Sequence, residues 1–165
     1  MENRDVKSFS IILTAVCLTG CITLPQLPPE LQYVMPSATA TGVSTISATM
    51  IDDKVPLFDD DNTYVYAVDG QKVMLEKDHW DKPVYVLPGE RAITLGFEKG
   101  AHMVFAKVSM LVAESKQYKA VSACKTGFIG NYEYCDFWIV DVSTGRAASE
   151  VTRGPYQQFA NPRAL

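Results

Sequence analysis

The acidic run Asp59-Asp60-Asp61-Asn62, with Asp52 and Asp53 just before it, carries the hard oxygen ligands that a calcium ion takes. Consecutive acids on an extended segment point to opposite sides, and the ligand spacing of an EF-hand loop is missing, so the run reads as a solvated loop. His79-Trp80-Asp81, preceded by Asp78, offers an aromatic face beside polar groups, the chemistry that meets a sugar or a peptide. The plainer alternative folds Trp80 back over a sheet edge. His102 starts a strand and lacks any nearby acid or nucleophile pattern, so it does not read as a catalytic base. The most aromatic loop is 127–136, Gly-Phe-Ile-Gly-Asn-Tyr-Glu-Tyr-Cys-Asp. Its Phe128, Tyr132 and Tyr134, together with Trp80, are the candidate contacts for a partner; alternatively the three loop rings cap the end of a core. Neither a Gly-x-Ser-x-Gly elbow nor a phosphate or dinucleotide loop occurs. No catalytic residue, metal or cofactor is assigned, and a protein that is not an enzyme is expected.

Such residues need rigid elements to hold them, and from residue 43 to 152 the chain is written in strands and turns. The Ser/Thr-rich stretch 43–51 predicts a first strand, and Thr-Tyr-Val-Tyr-Ala-Val over 63–68 a second, dense in types that suit a pleated surface. Asp69-Gly70 supplies the two positive φ values of a type I′ hairpin turn, and Pro88-Gly89 suits another tight turn. Between them 82–87 reads as a strand, and 91–98 returns from the second turn. Period two over 101–113 puts Val104, Ala106, Val108, Met110 and Val112 on one face. Strands at 118–124, 135–142 and 147–152 complete about eight, which predicts an all-β domain, a single antiparallel β-sandwich, with 153–165 as a flexible tail. Tyr66, Ile93, Val108 and Trp138 are expected in the core, and function is expected in the loops 52–62, 77–82 and 127–133.

Ahead of this domain an apolar run from Phe9 to Leu18 ends in small residues, too short to span a bilayer but fitting the core of a secretory signal. The tetrapeptide Leu18-Thr19-Gly20-Cys21 that closes it resembles the lipobox of bacterial lipoproteins. That resemblance implies removal of a signal peptide, residues 1–20, and lipidation of Cys21, with acyl chains on its thiol and its new amino terminus. It makes the chain a cell-envelope protein held on a membrane by its N-terminal lipid. Ile22 in place of the Asp that signals inner-membrane retention points to the outer membrane, facing the periplasm. Residues 21–42, rich in Pro, Ser, Thr and Ala, read as a tether that lifts the domain about 25 Å off the surface. Cys17 then leaves with the signal and Cys21 carries lipid, so Cys124 and Cys135 are left to form a disulfide in an oxidising compartment.

A second resemblance covers residues 43–152. Val68-Asp69-Gly70, Leu87-Pro88-Gly89-Glu90-Arg91-Ala92-Ile93-Thr94-Leu95, Glu114-Ser115-Lys116-Gln117-Tyr118-Lys119-Ala120-Val121 and the closing Phe137-Trp138-Ile139-Val140-Asp141 with Thr144-Gly145 resemble PEGA-like, prealbumin-like (Ig-like) sandwich domains of bacterial envelope lipoproteins. The resemblance implies a fold and brings no catalytic residues with it. The formal charge of −4 provides no basic field for nucleic acid. The expected role is a non-enzymatic module that binds an envelope protein or a cell-wall component. Two alternatives stand beside it: an enzyme or enzyme inhibitor acting on wall glycan, with Trp80, Asp78, Asp81 and Glu133 as its polar and aromatic groups, or an assembly lipoprotein of a secretion apparatus.

Overall fold

Side chains that alternate between apolar and polar bury one face of an extended chain, and the backbone then satisfies its N–H and C=O groups by pairing with neighbouring strands. A computed structural model describes residues 27–51, 61–100, 102–126 and 132–156, with backbone alone at 126 and 132. Among these residues the strands are β1 (Ser44–Ser47), β2 (Thr49–Ile51), β3 (Asp61–Val68), β4 (Gln71–Lys72), β5 (Val84–Val86), β6 (Gly89–Lys99), β7 (His102–Val112), β8 (Gln117–Thr126), β9 (Tyr132–Asp141) and β10 (Thr152–Pro155). One sheet has the order β10-β9-β8-β1-β5; the other runs β2-β3-β6-β7, with β4 also paired to β3. The domain is an all-β sandwich. Its pairings are antiparallel except that β1 lies parallel to β8, with Ile46 opposite Tyr118.

The core lies between the sheets. Ile93, Leu95 and Phe97 of β6 and Val104, Ala106, Val108, Met110 and Val112 of β7 face Ile46, Tyr118, Ala120, Cys135, Phe137 and Ile139 of the other sheet, all of them buried. The predicted face of β7 is thus the inner one, and Lys107, Ser109 and Leu111 point away from it. Asp69 and Gly70 have φ of 51° and 83°, the two left-handed positions of the hairpin that joins β3 to β4.

Several expectations change. The stretch 43–51 is two strands in different sheets, because the chain crosses from one layer to the other at Ala48. Pro88-Gly89 likewise carries the chain between sheets, from β5 to β6. Tyr66 and Trp138 are half-buried on outer faces: a bulge between Val65 and Ala67 resets β3, and in β9 Phe137 and Ile139 take the inward positions. Among the described residues the last strand is β10, not 147–152, so the expected tail from 153 begins inside a strand; Ala147 makes only an isolated bridge to Val140. Gly154 lets β10 cross tightly over β7, since a Cβ there would lie 2.5 Å from the carbonyl oxygen of Phe105. The tether expected over 21–42 is bound to the domain from its first described residues. Gln32 bridges Lys72, the Tyr33 N–H donates to the Lys72 carbonyl at 2.8 Å, and the Tyr33 hydroxyl donates to the Tyr85 carbonyl at 3.0 Å. Tyr33 and Met35 pack against the core.

The sandwich has two ends. At the near end lie the turns at Asp69-Gly70, Pro88-Gly89, 113–116 and 142–145, tied together where the Ser44 hydroxyl donates to the Ala113 carbonyl at 2.6 Å and accepts from the Lys116 N–H at 2.9 Å. At the far end β2 stops, β3 and β9 start, and β6, β8 and β10 stop. The near-end turn after β9 is organised by Asp141, whose carboxylate accepts from the Ser143 N–H and Oγ–H at 2.8 and 2.5 Å and pairs with Lys116 at 3.3 Å. The Ser143 hydrogen bond above all, then Lys116 and the turn amides, holds the carboxyl down at about 2, against an ordinary 3.8. A lowered pKa in the folded state means stability that is present above pH 3.8 and is lost as pH falls through about 2. Asp141→Asn is therefore expected to lower the denaturation midpoint at neutral pH, where the carboxylate's stabilisation is fully present, and to flatten the acid limb between pH 3.8 and about 2, below which the two proteins converge.

Candidate functional site

The far end gathers the residues best placed to meet a partner. Cys124 and Cys135 stand directly opposite each other on β8 and β9, with Cα atoms 4.0 Å apart, and are disulfide-bonded as expected. The bond ties the two strands just before each runs into the segment 127–131. Closing so short a loop restricts the unfolded chain by about 3 kcal/mol. Replacing both cysteines by Ser is accordingly expected to lower unfolding free energy by about that amount in urea titrations while the far-ultraviolet dichroism of the sheet is kept.

Outward from this bond, on the other face of the hairpin, Tyr134 sits opposite Lys125. The Arg153 guanidinium lies 3.6 Å from the Tyr134 ring centre, and the Lys125 ammonium 5.8 Å from it. Arg153 also grips Asp136 with two hydrogen bonds, Nε to Oδ1 at 2.7 Å and Nη2 to Oδ2 at 2.9 Å, while Lys125 meets Glu133 at 3.0 Å. Each pair stabilises its charged forms: the Arg153 bond draws the Asp136 pKa down, and Glu133 raises that of Lys125. The result is an aromatic ring flanked by two cations, each with its own carboxylate, on a hairpin stiffened by a covalent link.

Between the sheets at this end a pocket of about 290 Å³ opens, lined by Ile51, Asp61, Thr63, Lys99, Ser122 and Cys124 among others. Thr63 and Ser122 hydroxyls bridge the sheets at 2.7 Å, and Asp61 pairs with Lys99 at 2.7 Å at its rim. A larger, open groove of about 920 Å³ runs along the edge of β7 beside 147–152, with Arg91, Lys107, Ser109 and Glu150 in its walls. His102 bonds Tyr156 through Nδ1 at 2.8 Å.

Trp80 takes the plainer of its two readings. It follows the short 3₁₀ turn Lys77–His79 and lies flat on Tyr64, with ring centres 3.7 Å apart and planes inclined by 13°. Its indole N–H donates to the Leu75 carbonyl at 3.3 Å, and Lys77, ion-paired to Glu98, sits over its ring at 5.9 Å. Gly96 makes room for this layer: it stands between Tyr64 and Phe105 in register, and a Cβ there would come within 2.7 Å of the Tyr64 ring. Burial pushes the Tyr64 hydroxyl pKa up, and Glu98 adds to the shift. Trp80 thus belongs to the outer face of one sheet and Tyr134 to the other; Glu133, grouped with Trp80 in the glycan alternative, is on the sheet of Tyr134.

No protein family matches the chain, and no curated protein or solved structure matches it either. The geometry alone therefore sorts the sequence expectations. Tyr134 is in the cluster, whereas Phe128, the Tyr132 side chain, Asp52, Asp53, Asp59, Asp60 and Cys21 lie outside the described residues. Sequence reasoning missed Arg153 and Lys125. Arg153 was read into the tail, and its signal is the pairing of opposite charges across a register, Asp136 against Arg153.

Proposed function

We propose that this chain is a lipid-anchored protein of the bacterial cell envelope whose sandwich, without catalysis, binds another envelope protein through its far end. The observation that carries the reading is the Tyr134 cluster. Tyr and Arg dominate protein-binding hot spots, and here both are held in place before any partner arrives, by a bidentate ion pair and by the disulfide beneath. The anchor half of the reading is supported by the lipobox-like Leu18-Thr19-Gly20-Cys21 after its apolar run. A rigid ring presented at the end opposite the chain entry suits capture of something beyond the membrane surface.

A photo-crosslinking residue in place of Tyr134 or Lys125 in intact cells tests this. Discrete adducts are expected from both positions and not from Leu111 at the near end, and Arg153→Ala is expected to weaken the Lys125 adduct several-fold. Equal adduct patterns from all three positions would place the binding surface elsewhere.

A further inference from the structure

We infer that the near end of the sandwich rests on the phospholipid surface, so that the domain stands upright on its membrane; this deepens the anchor reading above and rests on it. Between Cys21 and Leu27, the first described residue, lie five residues. At no more than 3.6 Å per residue, that stretch spans about 20 Å even when fully extended. Beyond it there is little slack, because the chain is fastened to the domain. The Gln71 side chain donates to the Glu30 carbonyl at 3.2 Å, Gln32 bridges Lys72, and Tyr33 reaches Tyr85. Gln71 directly follows the Asp69-Gly70 turn, so the fastening point is at the near end.

The surface found there suits a bilayer. Leu111 is 70% exposed and Val142 53%, and Leu31 and Leu87 are also exposed. Leu111 stands opposite Glu90 at the start of β6, Leu87 precedes the Pro88-Gly89 turn, and the Val142 N–H bonds the Gln117 carbonyl at the start of β8. Turn ends of sandwiches are ordinarily polar, and single exposed apolar residues carry little meaning. Four of them around the end where a lipid anchor enters have a natural occupant, the interfacial zone of the lipid itself. Of the charges beside them, Arg91 pairs with Asp69 at 2.8 Å and Lys116 with Asp141, while Glu90 and Glu114 face solvent. The far end cannot share the contact with lipid. Strand β7 covers nine residue steps between His102 and Leu111, about 30 Å at 3.3 Å per residue.

The test uses the full acylated protein in vesicles of phosphatidylethanolamine and phosphatidylglycerol, some carrying nitroxide lipid. An environment-sensitive fluorophore is placed at Leu111→Cys or Val142→Cys at the near end, or at Met50→Cys, an equally apolar exposed position at the far end. Emission from positions 111 and 142 is expected to move to the blue and to be largely quenched by the nitroxide, with position 50 unchanged. Fatty-acid incorporation is read on the same samples. Acylated protein in which 111 and 142 are quenched no more than 50 overturns the docking proposal and leaves the anchor standing. Protein without acyl chains overturns the anchor reading, and this inference with it.

Discussion

Cys21→Ser is expected to leave the protein without any acyl chain and to move it from the membrane fraction to the soluble one, or to hold it as an uncleaved precursor. The size of the effect follows from the additivity of lipid burial. Each methylene contributes about 0.8 kcal/mol, one chain holds only marginally, and two or more hold stably, so loss of the single residue that carries them all removes the whole anchor. Folding should be untouched, because the Cys124–Cys135 disulfide is independent of Cys21 and the core is drawn from residues 46–139. Metabolic labelling with an alkyne fatty acid, beside membrane fractionation and a thermal melt, reads all three. A variant that labels as strongly as the parent would show that the lipid is attached elsewhere or that the lipobox reading is mistaken.

Phe137→Ala is expected to cost about 4 kcal/mol, against about 1 kcal/mol for Trp138→Ala, although Trp is the larger side chain. Phe137 is fully buried among both sheets, and truncating it leaves a cavity whose rigid walls cannot close. Trp138 is half-buried on the outer face opposite Val121, where solvent fills the space it vacates. Urea unfolding of the two variants gives both numbers on one scale. Equal costs, or a larger cost at Trp138, would mean that β9 is paired one residue out of the register described, since a single slip exchanges every inward and outward side chain.

This pair also shows where the fold was legible and where it was not. In β7 the inward face stands out because Lys107 and Ser109 mark the other side, whereas Phe137-Trp138-Ile139-Val140 is apolar at every position and offers no contrast from which to choose a parity. The Asp69-Gly70 turn was legible because few dipeptides accept two positive φ values. The crossing at Ala48 was not, since the Ser/Thr-rich stretch around it carries no break in pattern. Residues 27–36 look like spacer by composition, and the two side chains that fasten them, Tyr33 and Met35, are too few to shift that composition. At the far end the disulfide and Tyr134 could be anticipated from the residues alone. Arg153 beside that ring could not, because its place there depends on β10 pairing with β9.

The parallel pairing of β1 with β8 sets an order on assembly. Strands β6 and β7 form a hairpin from consecutive residues, as do β8 and β9, and either can close as soon as it is made. Strand β1 lies inside its sheet between β5 and β8, and Ile46 waits for Tyr118. A chain that emerges amino terminus first can pair that strand on one side with β5, but its other side stays open until β8 is made. Until residues 117–119 have appeared the first strand has an open edge, exposed to proteases and chaperones, and only then can its sheet close over it.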